Sequence, residues 1–175
     1  MRSEKCEGGN SAFIALGSNL GDSMRLLQSA IARLQAFSAV PLRVSSFWRT
    51  PPVDCPPCSP DFINAVVALS PLPGETPESL LSKLQTLEKE FGRRPKEILN
   101  EPRPLDLDLI AFGRETRASN PLTLPHPRGH LRRFVLQPLS EIAPDFVLPG
   151  QHRTVAELLS RLPPDLGMKR CLPSA

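Results

Sequence analysis

Five residues, Leu105-Asp106-Leu107-Asp108-Leu109, restrict the fold more than any other stretch of the chain. Apolar and acidic residues alternate over them without a break. Side chains on a strand point alternately to its two faces, whereas those on a helix come round every 3.6 residues. An extended strand sends all three leucines into a core and leaves both carboxylates together on the opposite face. The chain must therefore build a sheet, and that sheet carries two adjacent carboxylates.

Other elements follow from similar patterns. Ser11 to Leu16 reads as an apolar strand. A turn from Gly17 to Asp22 leads into a helix capped by Asp22 or Ser23, with Leu26, Leu27, Ala30, Ile31 and Leu34 as its buried stripe. Arg43 to Trp48 is expected as a second strand, and Phe62 to Ser70 as a third, with a proline-rich loop from Thr50 to Asp61 between them. Thr76 caps a second helix with Pro77 at its first position, and Gly92 stops it. Its stripe is Leu80, Leu81, Leu84, Leu87 and Phe91. Arg93 to Pro104 has too little periodicity for an element, and Leu105 to Phe112 is the fourth strand. Thr154 and Glu157 match a capping box that opens a late helix, ended by Pro163-Pro164.

The order β-α-β-β-α-β predicts a ferredoxin-like α+β sandwich with an additional C-terminal helical segment. Helices are expected on one sheet face and loops on the other. Residues 11–175 are expected to form a single domain behind a polar tail, residues 1–10. At 175 residues, 40% of them hydrophobic, the chain is long and apolar enough for one real core. Its 21 prolines indicate long, stiffened loops. No leader and no bilayer-spanning run stands out, and four cysteines are too few for a disulfide scaffold, so a cytoplasmic protein is expected. A net charge of +3 suits an anionic ligand and is too small to argue for nucleic acid.

Two carboxylates side by side repel each other unless a cation lies between them. Mg²⁺ prefers oxygen ligands and usually takes substrate phosphates as well. Arg93, Arg94, Lys96 and Arg103 precede the strand, and His126, Arg128, His130, Arg132 and Arg133 follow it. Carboxylates flanked by cations are what a metal–polyphosphate site needs. The competing reading is an edge strand with a solvated acidic face and scattered surface charge. Gly17-Ser18-Asn19-Leu20-Gly21 looks like a phosphate cradle but lacks the Gly-Lys-Ser/Thr ending, and a tight strand-to-helix turn explains it. Cys55-Pro-Pro-Cys58 has the spacing of half a zinc site with no second pair to complete it, so structural zinc is not expected.

Six segments together resemble the 6-hydroxymethyl-7,8-dihydropterin pyrophosphokinase family of the folate pathway. They are FIALGSNLGD (13–22), VSSFWRTPP (44–52), DFINAVVAL (61–69), PRPLDLDLI (102–110), LPHPR (124–128) and RRFVLQPLSEIAP (132–144). The resemblance implies the ferredoxin-like fold and diphosphate transfer from ATP to the pterin with release of AMP. It implies that Asp106 and Asp108 hold two Mg²⁺ ions and that Arg93 and Arg103 close over the substrates. By the same resemblance Gln85, Glu88, Leu109, His126 and Arg132 belong to the ATP side. Asn64 reads the pterin edge, Phe62 and Phe134 line its pocket, and Thr50, Pro51 and Val53 lie in the loop that binds it. A monomer or weak dimer is expected, without nucleic acid or membrane partners.

The chain departs from the family pattern at Asn100 and Glu101, where many members carry an aromatic and then glycine. It also departs at Pro95, where a further loop cation is common, and at Leu131, where many members are acidic. Two alternatives remain open on the sequence. An RNA-binding module of the same fold would stack bases on strand aromatics, yet the Leu105 strand carries acids. A degenerate pterin binder would have no need of both aspartates and Arg103.

Overall fold

A computed structural model describes residues 10–172, so the expected tail lies outside the described residues except for Asn10. In chain order the elements are β1 (Ala12–Ser18), α1 (Ser23–Leu34), β2 (Arg43–Val44), β3 (Trp48–Thr50), β4 (Phe62–Leu69) and α2 (Pro77–Glu90). They continue with β5 (Asp106–Phe112), β6 (Arg117–Ala118), β7 (Thr123–Leu124), α3 (Arg133–Ile142), α4 (Val155–Arg161) and β8 (Lys169–Arg170).

The main sheet runs β5-β1-β4-β3-β8, with β2 also on β4. All its pairings are antiparallel. β1 is central, which is why a seven-residue strand with no charge is buried at nearly every position. β6 and β7 form a separate small ribbon.

Each sheet face packs against helices. On one face, Leu27, Ala30 and Leu34 of α1 and Leu80, Leu84 and Leu87 of α2 meet Ile14, Leu16, Val67, Leu107 and Leu109. On the other, Val135, Leu136 and Leu139 of α3 and Val155 of α4 meet Phe13, Val66, Ala68 and Ile110. The second face is therefore covered by helices, not by loops as the sequence suggested. α3 escapes sequence reading because the usual start and stop signals are missing. Its N-cap is Arg132, with no side-chain cap bond, and Pro138 sits inside it. Its far end is tied to the edge strands: Trp48 Nε1 donates to Glu141 Oε1 at 2.7 Å, and the Ser46 N–H donates to Glu141 Oε2 at 2.8 Å.

The helix starts follow the expected chemistry. Asp22 accepts from the Arg25 N–H at 3.2 Å. Thr76 with Ser79, and Thr154 with Glu157, form capping boxes. The expected strand from Arg43 to Trp48 is instead split into β2 and β3. At the break the Ser45 hydroxyl, not a backbone carbonyl, accepts the Val66 N–H at 2.9 Å, so a side chain replaces a ladder bond.

Candidate active site

Three strands place the centre of the site by register alone. Asn64 of β4 lies opposite Gly17 of β1, and Gly17 lies opposite Asp106 of β5. One rung of the sheet thus carries all three residues on the face that α3 covers. Asp108 is two rungs along on the same face, opposite Ala15. A Cβ on Gly17 would stand 3.1 Å from Asn64 Oδ1 and 3.6 Å from the Phe62 ring. Glycine therefore keeps the middle of the rung open.

The opening is a cleft of about 290 Å³. All six residues expected on the pterin side, Thr50, Pro51, Val53, Phe62, Asn64 and Phe134, line it, as do Arg103, Asp106, Asp108 and Arg132. Asn64 is buried, and its Nδ2 donates to Thr50 Oγ1 at 2.7 Å, which fixes the amide. The Arg103 guanidinium lies 5.8 Å from the Phe62 ring centre, and that of Arg132 lies 5.4 Å from the Phe134 ring centre.

The remaining expected residues lie outside this cleft. Arg93 joins Glu88 and also reaches Asp106 at 2.6 Å. Gln85 is exposed on α2, one turn before the buried Glu88. The Leu109 side chain is in the core beneath the helices, so what it offers a ligand is backbone on the edge strand β5. His126 is partly buried near the end of β5, where its backbone N–H donates to Ile110 O at 2.8 Å.

Charges in the site are tightly interlocked. Asp106 Oδ1 meets Arg93, and Oδ2 lies 3.5 Å from Arg103. Glu88 accepts the Leu107 N–H at 2.7 Å, which pins the backbone between the two aspartates. Burial pushes the Glu88 carboxyl up to about 7, against the lowering influence of that N–H and of Arg93. Burial and the neighbouring Asp106 charge also raise Asp108, while Arg132, Arg93 and Arg103 oppose the rise. The Arg93 guanidinium is raised overall: burial works against its charge, but Asp106 and Glu88 outweigh that effect. Burial, then the charges of Arg132 and Arg128, hold His126 below its ordinary value. His126 Nδ1 accepts the Arg128 N–H at 3.2 Å, which leaves the proton of the neutral ring on Nε2.

These residues fit a divalent cation. Asp108 is a carboxylate whose charge is disfavoured by its surroundings, and a cation beside it removes that penalty. Among the described residues no group of three or more His, Cys, Asp or Glu side chains could hold a metal. Two carboxylates that leave the rest of the shell to phosphate and water match the habit of Mg²⁺. Arg103 Nε is the one buried side-chain nitrogen or oxygen among the described residues that has no hydrogen-bond partner.

Several residues that line the cleft are not among the site residues expected from the sequence: Gly17, Asp54, Cys55, Asn100, Arg128 and Leu131. Arg128 was visible as one of the flanking cations, and Gly17 as a glycine ending an apolar strand. Asn100 stood out only as a departure. Its Nδ2 donates to the Asp54 carbonyl at 2.7 Å, joining the Arg93–Pro104 loop to the proline-rich loop.

A cleft lined by two carboxylates, several guanidiniums, a fixed amide and two aromatic rings suits an enzyme that handles a polyphosphate and a flat polar ring. Comparison with known proteins narrows that class. The sequence profile of the 7,8-dihydro-6-hydroxymethylpterin-pyrophosphokinase (HPPK) family matches residues 13–144. The chain is 38% identical over 159 residues to the 2-amino-4-hydroxy-6-hydroxymethyldihydropteridine pyrophosphokinase of Synechocystis sp., covering 91% of this chain and 78% of that one. It is 41% identical over 134 residues to the Bacillus subtilis protein of the same name, covering 76% and 78%. The fold resembles that of the solved Plasmodium falciparum HPPK-DHPS with pteroate, with a TM-score of 0.73 and 11% identity over 92% of this chain. The chain spans about half, 47%, of that solved chain. The chain belongs to the 7,8-dihydro-6-hydroxymethylpterin-pyrophosphokinase family, whose members are diphosphate transferases of folate biosynthesis.

Proposed function

We propose that this chain transfers the β,γ-diphosphate of ATP to 6-hydroxymethyl-7,8-dihydropterin through the cleft between Asn64 and Asp106. The observation that carries the reading is their shared rung: a fixed amide at one end, metal-type carboxylates at the other, and an open glycine between. Asn64 pairs with the donors and acceptors of the pterin edge, and Phe62 and Phe134 bound its ring. Thr50 keeps the Asn64 amide oriented, while Pro51 and Val53 form the pocket wall.

The pterin hydroxymethyl oxygen attacks the β-phosphorus of ATP. The bond from that phosphorus to the α,β-bridging oxygen breaks, AMP leaves with the oxygen, and the hydroxyl proton passes to solvent. Asp106 and Asp108 would hold Mg²⁺, two ions in all, which when bound with ATP neutralise phosphate charge and align the displacement. Arg93 and Arg103, now paired with Asp106, exchange that carboxylate for phosphate oxygens. The unpartnered Nε of Arg103 supplies a further donor. Arg132 and the neutral His126 Nε2–H face the nucleotide, joined by Gln85, Glu88 and the Leu109 backbone. Positioning and electrostatics carry the rate, since no group in the cleft is a strong base.

The same reading takes the fold as ferredoxin-like, supported by the antiparallel order of last, first, third and second strand. It places the enzyme in the cytoplasm as a monomer or weak dimer. In support, Cys55, Cys58 and Cys171 are free thiols, and no helix among the described residues is long and apolar enough to cross a membrane. RNA binding is not favoured, because the corresponding strand face carries Asp106 and Asp108 in place of stacking aromatics. The deciding assay is AMP release from ATP and the hydroxymethyl-dihydropterin with Mg²⁺. Release that requires both substrates supports the reading, and ATP turnover indifferent to the pterin defeats it.

A further inference from the structure

The turn between β1 and α1 takes no direct part in the chemistry above, yet it touches both loops that border the cleft. Asn19 is 2% exposed and makes three bonds out of this turn. Its backbone N–H donates to Arg103 O at 3.1 Å, and its Oδ1 accepts the Arg103 N–H at 2.9 Å. The backbone of Arg103 is thus held on both sides by one residue. The Asn19 Nδ2 donates to Pro60 O at 3.3 Å, at the end of the proline-rich loop. The other end of the Asn19 amide therefore holds the loop that supplies Thr50, Pro51 and Val53.

We propose that Asn19 is a positioning residue for diphosphate transfer, setting the Arg103 backbone and anchoring the pterin loop through a single buried amide. The inference rests on the role given to Arg103 above. Few side chains could do this. A planar amide has an acceptor and a donor on one short stem. Aspartate keeps the acceptor and loses the donor, serine is too short to span both partners, and alanine has neither. Arg103 has little freedom once its backbone is fixed, because its guanidinium lies between Asp106 and the Phe62 ring. A shift of about 1 Å in such a group is enough to cost roughly a hundredfold in rate.

The test is a double-mutant cycle in the full chain, with steady-state kcat and KM for each substrate. Asn19→Ala is expected to lower kcat by about tenfold or more, and to lower it by no more than about threefold when Arg103 is already alanine. A residue that serves only the turn would lower the melting temperature and act additively with Arg103→Ala. Asn19→Asp keeps the acceptor for Arg103, so it is expected to recover most of kcat while KM for the pterin stays raised. Additive effects on kcat, or an Asn19→Asp no better than Asn19→Ala, overturn the inference while leaving Arg103 its role. An Arg103→Ala enzyme with unchanged kcat removes the Arg103 role, and this inference with it. If Asn19→Ala does not unfold cooperatively, the cycle is run with Asn19→Ser and judged by the same coupling.

Discussion

The Asn100 side chain donates to the Asp54 carbonyl oxygen at 2.7 Å, a bond between residues 46 positions apart on the two loops that border the cleft. Both residues have left-handed backbones, with φ of 55° at Asn100 and 53° at Asp54. Asparagine and aspartate tolerate that region better than other residues with a Cβ. The departure from an aromatic at position 100 therefore brings a specific contact in exchange for lost ring area.

Two substitutions separate the parts of this clasp. Asn100→Gly keeps the backbone conformation and removes the bond. A hydrogen bond is worth about 0.5–1.5 kcal/mol, so affinity for the pterin is expected to fall by about two- to tenfold. Asn100→Ala removes the bond and adds a left-handed penalty of about 1–2 kcal/mol, and is expected to be worse. Titration with the pterin, followed by emission of Trp48, the single tryptophan, measures both. Equal affinity in wild type and Asn100→Gly would show that the clasp does not hold the pterin loop.

The two aspartates are expected to part company in stability while agreeing in activity. Asp106→Asn and Asp108→Asn should each lower turnover by orders of magnitude. Asp106 has two arginine partners, so its loss is expected to destabilise the fold, on the order of 1–2 kcal/mol for half-buried pairs. Asp108 is disfavoured as an ion by burial and by Asp106, so Asp108→Asn should melt at or above the wild-type temperature. Scanning calorimetry without Mg²⁺ and nucleotide decides it, and a lower melting temperature for Asp108→Asn contradicts the account.

Gly17→Ala tests the open middle of the rung. The added methyl meets Asn64 Oδ1 at 3.1 Å, so the amide must move by a few tenths of an ångström. Since Thr50 holds that amide in place, affinity for the pterin is expected to fall by about tenfold, with a smaller change in KM for ATP. Equal losses for both substrates would point to a general distortion of β1.

His126 provides the pH prediction. Its folded value lies below the ordinary 6.5, chiefly through burial. The stability linked to the neutral ring is therefore fully present above the unfolded value and is lost as pH falls through the folded one. An NMR titration of the three imidazoles is expected to show His126 with a midpoint below 6.5. Arg132→Met should raise that midpoint only in part, because burial remains. A His126 midpoint at or above 6.5 in the wild type would refute the assignment.

Much of this was legible because the signals are local. Alternation in Leu105–Leu109 fixes the face of both aspartates, and Asp22, Thr76 and Thr154 mark helix starts within four residues of sequence. α3 was not legible, because an arginine caps it and a proline lies inside it, so its stability comes from Val135, Leu136 and Leu139 packing on the sheet. The break at Ser45 depends on a hydroxyl meeting a strand 21 residues away. The same is true of the site. Carboxylates and cations could be read off one by one, but the pairing of Arg93 with both Glu88 and Asp106, and of Asn100 with Asp54, exists only once distant segments meet.

The rung from Asn64 through Gly17 to Asp106 also works as a gauge. Neighbouring strands lie about 4.8 Å apart, held there by the backbone ladder, so the first and last residues of the rung stand roughly 10 Å apart whatever the loops do. On the proposed reading, with Asn64 at the ring edge and Asp106 at the phosphates, the sheet would measure the span from ring to hydroxyl. Lengthening the arm between ring and hydroxyl by one carbon would carry the oxygen past its line of attack, with the ring still seated. On that reading, selection by length would rest on the hydrogen bonds of the sheet, with Asn64 and Asp106 marking the two ends.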